Sequence, residues 1–440
     1  MFDFVDLFAG VGGFHAALSS LGGNGVQAVE IDANAARVYT HNWHLEPDED
    51  VRTLAADPAR LVKDHGVLTG GFPCQPFSKS GRQLGMNEDR GTLFHDIVRI
   101  LEVKKPPVVM LENVRNIAGP RQVKTWAAVV DGLRAAGYRV SGEPCVFSPH
   151  FLRPEEGGAP QVRERVYIQG VFVGDDASNQ TDVPPAVENT PQDGWDPENW
   201  SIDKHALLPE PHGVARSRYA VTADEATWIN TWNELLARLG SEVKLPGFPL
   251  WEPSWRARRP SLRDMPSWKQ DFIRKNHDFY LANRVVIDEW RRAHPELSRF
   301  PLSRRKFEWQ AQGGPRDLWQ LLLHLRPSGI RAKRPTYAPA LVAMNQASIY
   351  GPARRQLTPL EAARLQGFDD EFSFGRQTDA LSYRQMGNAV NVGAAAYVFR
   401  RFVEQNAHLI IKAGSLGPGL VETVLESTVH SKPVSQEQTA

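Results

Sequence analysis

The turn that follows the first apolar segment constrains the fold more than any other stretch of this chain. Residues 2–8 alternate as a strand does, and residues 14–18 begin a helical pattern. Between them, the run Ala-Gly-Val-Gly-Gly at residues 9–13 breaks the strand. A strand, a glycine-rich turn and a helix are typical of nucleotide-binding α/β folds, although the turn taken alone is either a structural loop or a cofactor site. The glycines do not match G-x-G-x-x-G, so a dinucleotide pyrophosphate is not the obvious ligand.

Strand and helix patterns continue to alternate through the first 172 residues. Strands are predicted at residues 26–31, 67–69, 108–111, 138–146 and 165–172, and helices at residues 32–41, 92–102 and 123–136. This alternation predicts an α/β fold with a mostly parallel sheet and helices on both faces.

Cys74 follows the predicted strand at residues 67–69 and lies between Pro73 and Pro76. These prolines predict a stiff loop at the carboxyl edge of the sheet, where open α/β sheets bind ligands. The alternative is a buried structural thiol, since free cysteine is among the most buried residue types. Cys145, in a strand pattern, is expected in the core. With only two cysteines in the chain, no disulfide framework is expected and a functional Cys74 would act as a thiolate.

Charge is unevenly distributed along the 440 residues, although the formal net charge is zero. Between residues 256 and 355, 21 lysines and arginines face 8 acidic residues, so this block is strongly basic. No apolar run is long enough to span a membrane and the amino terminus has no basic signal region. We therefore expect a soluble cytoplasmic protein with no membrane partner and no metal ion, since the weak pair of His41 and His44 has no further ligand cluster.

The pattern predicts four segments. Residues 1–173 form the α/β domain, and residues 174–379 contain a polar linker and the basic block with its tryptophans. Residues 380–413 return to the first domain with an apolar helix. Residues 414–440 are predicted to be a disordered tail because glycine, serine, proline and glutamate dominate them.

Six motifs occur in the order and spacing of one enzyme family. They lie at residues 6–14, 71–78, 112–114, 161–166, 364–368 and 385–390. In this arrangement the chain resembles the DNA cytosine-5 methyltransferases of bacterial restriction-modification systems. The resemblance covers residues 1–172 and 355–400. It implies a Rossmann-like domain that depends on S-adenosylmethionine (S-adenosyl-L-methionine), with a smaller inserted target-recognition domain.

The resemblance also implies a covalent mechanism. The thiolate of Cys74 adds to C6 of cytosine, which makes C5 nucleophilic. Glu112 acts as an acid toward N3. Arg163 and Arg165 share one face of an extended segment, and Arg165 is assigned to O2 of the base and to ordering the catalytic loop. After methyl transfer, loss of the C5 proton and expulsion of Cys74 complete the reaction, and a water is a plausible base.

For the cofactor, the resemblance implies a glycine-rich loop, an acid on the ribose and an apolar side chain against the adenine. Asp50 is assigned to the adenine edge, with Asp57 as the competing candidate. The expected contacts are Phe8, Ala9, Gly10, Val11, Glu30, Ile31, Asp50, Val51, Pro73, Leu93, Asn388 and Ala389.

The expected partner is double-stranded DNA, from which the target cytosine is flipped into the catalytic domain. The basic block supplies phosphate contacts and base reading, with residues 326–334 as the best candidate for a DNA-facing loop. The expected contacts are Gln75, Ser80, Arg326, Arg331 and Lys333. The enzyme is expected to be a monomer that is associated with the bacterial nucleoid through DNA. A cognate endonuclease would form no stable complex with it.

Two alternatives remain open on the sequence. An RNA cytosine-5 methyltransferase would use the same residues, but the size of the basic insert argues against it. A DNA-binding protein with a vestigial active site is the other, and the intact set of Cys74, Glu112, Arg163, Arg165 and Asn388 argues against that.

Overall fold

The computed structural model describes residues 1–73, 93–174, 183–209, 218–258, 262–263, 265–343 and 347–427. The chain divides into two compact units. The first comprises Met1–Trp200, Pro339–Met344 and Pro359–Ala440, and the second comprises Ser201–Ala338 and Asn345–Thr358. The predicted boundaries, at residues 174 and 379, differ from these divisions.

The regular elements of the described chain are numbered in chain order. The strands are β1 Phe2–Leu7, β2 Gly23–Val29, β3 Val67–Gly70, β4 Val108–Val114, β5 Tyr138–Val140, β6 Cys145–Phe147, β7 Gln161–Val162, β8 Arg165–Phe172, β9 Leu250–Trp251, β10 Lys306–Gln310, β11 Leu322–Arg326, β12 Gly329–Lys333, β13 Ala338–Pro339, β14 Ile349–Tyr350 and β15 Arg355–Gln356. The helices are α1 Gly13–Ser19, α2 Ala33–Trp43, α3 Val51–Ala56, α4 Pro58–Leu61, α5 Leu93–Lys104, α6 Val123–Ala135, α7 Ile202–His205, α8 Ala223–Leu239, α9 Ser267–Ala282, α10 Arg284–Ala293, α11 Pro359–Leu365, α12 Asp379–Asn388, α13 Val392–Ile410 and α14 Gly417–Glu426.

The sheet of the first unit has the order β2-β1-β3-β4-β8-β5, and β6 also pairs with β8. The pairs among β2, β1, β3 and β4 are parallel, whereas β8 runs antiparallel to β4, β5 and β6. The two sides of β1 pack into different cores: Phe4 belongs to one apolar cluster, and Val5 and Leu7 belong to another. Because successive side chains of a strand point to opposite faces, the sheet is covered on both sides. The predicted doubly covered α/β fold is confirmed.

The strand order reverses direction at β1, which has β2 on one side and β3 on the other. In an open α/β sheet, the crevice outside the carboxyl ends of the strands at such a point is the usual ligand site. The residues after β1, β2 and β3, and the last residues of β4, therefore converge on one edge of the sheet.

Three local predictions differ from the structure. The strand predicted at residues 138–146 is two strands, β5 and β6, and the break lies at residues 141–144, which contain Gly142 and Pro144. Residues 183–200 belong to the first unit, where the indole N–H groups of Trp195 and Trp200 both donate to the carbonyl of His150 at 3.0 and 2.9 Å. The tail predicted to be disordered contains α14, and that prediction is wrong for residues 417–426.

The second unit is built on a sheet of order β15-β14-β11-β12-β10-β9. One face of this sheet packs with α8 and α10 into a core that includes Trp232, Trp255, Trp290, Trp309 and Trp319. Most of the tryptophans of the basic block thus form a local core, whereas Trp268 is exposed. No helix in the described part of the chain is long and apolar enough to cross a membrane.

Candidate functional site

A cleft of about 390 Å³ opens at the carboxyl ends of β1, β3 and β4 in the first unit. Its lining combines the turn after β1, the residues after β2 and β3, the end of β4, the approach to β8 and one side of α12. The lining residues are Phe8, Gly10, Val11, Glu30, Asp32, Ala35, Gly71, Phe72, Pro73, Glu112, Asn113, Val114, Arg163, Arg165, Leu381, Arg384, Gln385, Gly387, Asn388 and Ala389.

The turn after β1 has a backbone that favours glycine. Gly10 and Gly12 have φ angles of 57° and 94°, in the left-handed region where glycine carries no Cβ penalty. A Cβ on Gly10 would meet nothing within 4 Å, whereas a Cβ on Gly12 would lie 1.9 Å from the indole nitrogen of Trp43. That nitrogen donates to the carbonyl of Val11 at 3.0 Å, which fixes the turn against α2.

Glu30 lies at the end of β2, and both its carboxylate oxygens accept backbone hydrogen bonds. The N–H of Gly10 donates to Oε2 at 2.8 Å, and the N–H of Asp32 donates to Oε1 at 2.7 Å. Burial raises the pKa of Glu30, and the two backbone donors oppose that rise. Glu30 therefore links the glycine turn to the start of α2, and its carboxylate lies in the cleft wall.

Asp6 is buried on β1, two residues before Phe8. The hydroxyl of Thr69 on β3 donates to Asp6 Oδ1 at 2.8 Å, and Oδ2 has no hydrogen-bond partner among the described residues. Burial raises the pKa of Asp6 to about 7; the Thr69 hydrogen bond lowers it and the charge of Glu30 raises it further. Strand β1 thus carries a buried titratable carboxyl group that interacts with the charge of Glu30 in the cleft wall.

Glu112 and Arg165 form a partly buried ion pair in the cleft. Strands β4 and β8 are antiparallel, with Val114 paired to Arg165 in register, so the end of one strand lies beside the start of the other. The distance from Arg165 Nε to Glu112 Oε1 is 2.9 Å, and about 14% and 11% of the two side chains are exposed. Burial raises the pKa of Glu112, while the charges of Arg165 and Arg163 oppose the rise.

The guanidinium of Arg163 is buried and bonds backbone carbonyls. It donates to the carbonyls of Leu341, Gly387 and Ala389 at 3.0, 2.9 and 2.7 Å. Burial, together with the charge of Arg165, lowers the pKa of Arg163 to about 9. Arg163 therefore fixes the carboxyl end of α12 and the segment near residue 341 against the cleft, while Arg165 is the arginine that pairs with the acid.

Asn113 connects the two strand ends that carry the predicted catalytic groups. Its side-chain amide donates to the carbonyl of Phe72 at 2.9 Å, and its own Oδ1 accepts from the N–H of Val114. Phe72 precedes Pro73 and the predicted nucleophile Cys74. Cys74, Gln75 and Ser80 lie outside the described residues.

One face of helix α12 lines the cleft. Leu381, Arg384, Gln385 and Asn388 have the spacing i, i+3, i+4 and i+7, which places them on one face of a helix. Ser382, Tyr383 and Met386 are buried on the other side.

The structure brings together most, but not all, of the residues predicted for the cofactor. Phe8, Gly10, Val11, Glu30, Pro73, Asn388 and Ala389 line the cleft. Five others lie outside that lining. Ala9 packs against Ala28 and Tyr39, and Ile31 is 74% exposed. Asp50 caps α3 by accepting from the N–H of Arg52 at 3.0 Å. Val51 is buried in an apolar core, and Leu93 packs against that core.

The sequence patterns assign no role to Asp32, Asn113, Leu381, Arg384 or Gln385, all of which line the cleft. Asp32 has a local signal, since it caps α2 by accepting from the N–H of Asn34 at 2.8 Å. The helical spacing of residues 381, 384, 385 and 388 is a second signal of this kind.

The stretch predicted to be a DNA-facing loop, residues 326–334, is a tight hairpin of β11 and β12 in the second unit, because Arg326 pairs in register with Gly329. On one face of that sheet, Glu308 forms ion pairs with Arg326 and, at 3.2 Å, with Arg331. Lys333 lies over the ring of Tyr337, 4.2 Å from its centroid. Arg326 and Arg331 are thus partly neutralised by an acidic residue that the sequence pattern did not connect to them.

Comparisons with known proteins agree with this geometry. The family model for C-5 cytosine-specific DNA methylases matches residues 2–404. The Type II methyltransferase M.AluI of Cellulosimicrobium cellulans is 40% identical over an alignment that covers 96% of each chain. The Type II methyltransferase M.HhaI of Haemophilus parahaemolyticus is 41% identical over 38% of this chain and 47% of its own length.

A solved structure, the S. pombe Dnmt2 methyltransferase, superposes with a TM-score of 0.45 at 17% identity, over 92% of this chain and 99% of its own. The family assignment depends on the sequence comparisons. The family model spans nine-tenths of the residues, and a relative that aligns over 96% of each chain is 40% identical. The chain therefore belongs to the family of C-5 cytosine-specific DNA methylases and is a DNA (cytosine-5)-methyltransferase.

Proposed function

We propose that this methyltransferase transfers the methyl group of S-adenosylmethionine to C5 of a cytosine flipped out of duplex DNA, through a covalent bond between Cys74 and C6. The observation that carries the proposal is the ion pair of Glu112 and Arg165 at 2.9 Å, in the same cleft as Glu30 and the glycine turn. An acid with a basic partner and a nucleotide-type turn share one opening at the carboxyl edge of the sheet.

The residues of the cleft fit S-adenosylmethionine. A volume of about 390 Å³ lies within the ordinary range for small-molecule sites. Gly10 has open space where a side chain would stand, so a ligand can approach the backbone of the turn closely. The Glu30 carboxylate lies in the wall and can accept from ribose hydroxyl groups. When bound, this cofactor supplies an electrophilic methyl group.

Glu112 is suited to act as the acid toward N3 of cytosine. Its burial raises its pKa, so the protonated form persists to higher pH than for an exposed glutamate. The charge of Arg165 limits that rise in pKa, so the carboxyl group of Glu112 can still release its proton to the base. We assign to Arg165 a second contact with the base, because Arg165 also lines the cleft.

Arg163 acts as a positioning residue in this scheme. Its donors bond the carbonyls of Leu341, Gly387 and Ala389, which leaves the Nε group as the one without a hydrogen bond among the described residues. It holds Asn388 and Ala389 at the cleft through the backbone around them.

In the proposed reaction, Cys74 is the nucleophile. The thiolate forms a bond to C6, and the electron pair of the C5–C6 double bond is delocalised toward N3, where Glu112 supplies a proton. C5 then bonds to the methyl group, whose former bonding electron pair stays with the cofactor sulfur, and N3 returns its proton to Glu112. A base removes the C5 proton, the double bond reforms, and the thiolate leaves C6.

We assign DNA recognition to the second unit, with Arg326, Arg331 and Lys333 as contacts. Its sheet has one apolar face in the core and one face that carries these cations. Gln75 and Ser80 are assigned to the flipped nucleotide and the strand around it. We further propose a monomer in the bacterial cytoplasm that associates with the nucleoid through DNA, with no stable complex with an endonuclease.

The test is methylation of duplex DNA with labelled S-adenosylmethionine, followed by bisulfite sequencing of DNA from a methylation-free host that expresses the chain. We expect label on C5 of cytosine at one short site. Cys74→Ser should abolish it, while Cys145→Ser, which changes the other cysteine, should retain it. Label at N4 of cytosine or on adenine would contradict the mechanism, and preferential labelling of transfer RNA would contradict the substrate.

A further inference from the structure

We propose that Arg384, on α12, binds a backbone phosphate of the substrate DNA at the mouth of the catalytic cleft. This inference rests on the proposed function, because it gives a contact to the nucleotide that the cleft is expected to admit. It assigns a phosphodiester contact to the first unit, in addition to the DNA contacts assigned to the sheet of the second unit.

Among the described residues that line the cleft, Arg384 is the cation that remains available to a ligand. Arg163 bonds three carbonyls, and Arg165 pairs with Glu112 and donates to the carbonyl of Glu164 at 2.9 Å. Arg384 lines the same cleft, is exposed, and has neither a hydrogen bond nor an ion pair with any residue that the structure describes. An arginine without a carboxylate partner at the opening of a site favours an anion that comes from solution.

The helix that carries Arg384 is fixed in place. Arg163 holds the carbonyl of Gly387, and a Cβ at Gly387 would lie 2.3 Å from the backbone carbon of Val342, so helix and segment are in close contact. No acidic residue stands three or four positions from Arg384, where residues 380, 381, 387 and 388 are alanine, leucine, glycine and asparagine. The guanidinium therefore extends from a rigid base with its charge uncompensated along the helix.

The position of Arg384 favours a DNA phosphate over the carboxylate of the cofactor. A flipped cytosine enters toward Glu112 while its flanking phosphates stay with the DNA backbone at the opening. Arg384 is exposed, as a contact with DNA at the opening must be. A planar guanidinium can bind two phosphate oxygens at once and so fix the register of the nucleotide.

The test compares Arg384→Gln, Arg384→Lys and the control Arg121→Gln, which removes an exposed arginine of the same unit that does not line the cleft. Affinity for a duplex carrying the methylated site is measured as a function of KCl concentration, and cofactor affinity is measured without DNA. Arg384→Gln should weaken DNA binding roughly tenfold and reduce the slope of log K against log salt by about 1. Arg384→Lys should restore the slope. Arg121→Gln should leave the DNA affinity and its salt slope at the wild-type values, and none of the variants should change the affinity for the cofactor.

An unchanged salt slope in Arg384→Gln, with wild-type methylation intact, would overturn the phosphate contact and leave the proposed function standing. Weaker cofactor binding without DNA would assign Arg384 to the cofactor carboxylate and overturn the proposal as well. A wild-type protein that neither binds nor methylates DNA would instead refute the proposed function. Equal thermal melting of the variants excludes loss of folding as the cause of an effect.

Discussion

Asn113 donates a hydrogen bond from its side-chain amide to the carbonyl of Phe72 at 2.9 Å, and this bond joins the loop after β3 to the end of β4. Phe72 lies two residues before Cys74, and Asn113 follows Glu112. The bond is buried and thus holds the end of β4 to the backbone of Phe72. A displacement of about 1 Å between reacting groups can cost roughly 100-fold in rate.

Asn113→Ala should therefore reduce kcat by roughly ten- to 100-fold while leaving the dissociation constant of S-adenosylmethionine unchanged, because neither Gly10 nor Glu30 contacts Asn113 through a hydrogen bond. Asn113→Asp should not rescue the rate, since a carboxylate cannot donate to the Phe72 carbonyl. Steady-state kinetics and cofactor titration measure both quantities. Asn24→Ala, which breaks an exposed bond to Asp3, is the control, and an equal loss in both variants would argue against the tether.

Arg165→Gln should move the pH profile of kcat/KM. Arg165 opposes the rise that burial causes in the pKa of Glu112, so removal of its charge lets that pKa rise further. If protonated Glu112 is the acid, activity falls as pH rises through this pKa, and the descending limb in Arg165→Gln should lie at higher pH. Arg165→Lys should return the limb toward the wild-type position because it keeps the charge.

Arg115→Gln is the matched control for that experiment. Arg115 forms an exposed ion pair with Glu164 at 2.6 Å rather than with Glu112, so its loss should leave the limb in place. If the descending limb of the pH profile lies at the same pH in Arg165→Gln, although the ion pair is lost, then Glu112 does not determine the position of that limb.

The two glycines of the turn after β1 should respond differently to alanine. Both have positive φ, which costs roughly 1 kcal/mol or more for a residue with a Cβ. Gly10→Ala has space for its methyl group and should fold, but the methyl group would narrow the cleft and raise the KM for S-adenosylmethionine. Gly12→Ala would collide with the indole nitrogen of Trp43 at 1.9 Å, so it should lower the melting temperature more than Gly10→Ala does. Equal melting temperatures for the two variants would contradict this reading of the turn.

The sequence predicted the parts of the site whose signals are local. The turn at residues 9–13 follows a strand and precedes a helix, so its place on the sheet edge follows from the chain order alone. Short motifs in a fixed order predict Glu112, Arg163 and Arg165 as site residues, and the structure brings the three to one cleft. The structure adds what distant contacts decide: Arg163 bonds carbonyls more than 170 residues away, which no local pattern encodes.

For two other differences between prediction and structure, the sequence contains a local signal that a stronger pattern conceals. In residues 417–426, Leu420, Val421 and Val424 are buried with helical spacing, but the composition of the whole tail favoured disorder. The break between β5 and β6 lies at Gly142 and Pro144, which are strand-breaking residues. The ion pairs of Glu308 with Arg326 and Arg331 had no such signal, because they depend on strand pairing across about 20 residues.

The buried carboxyl of Asp6 should make the stability of the first unit depend on pH. Burial raises its pKa from an ordinary value near 3.8 to about 7, so the folded chain retains this proton more tightly than the unfolded chain. Between about pH 4 and pH 7 the unfolded state has lost the proton and the folded state has kept it. The free energy of unfolding that Asp6 contributes is therefore present below this range and falls as pH rises through it.

Asp6→Asn removes the titration and keeps the shape, and its amide oxygen can still accept from Thr69 as Asp6 Oδ1 does at 2.8 Å. The free energy of unfolding of the wild type minus that of Asp6→Asn should decrease between pH 4 and pH 7 and level off above that range, as measured by urea denaturation at closely spaced pH values. The charge of Glu30 raises the pKa of Asp6, so Glu30→Gln should lower the pH at which the decrease levels off. Asp3→Asn, which removes an exposed carboxylate from the same strand, is the control for the loss of one charge. A difference between wild type and Asp6→Asn that does not vary with pH would show that Asp6 is ionised in the folded protein throughout.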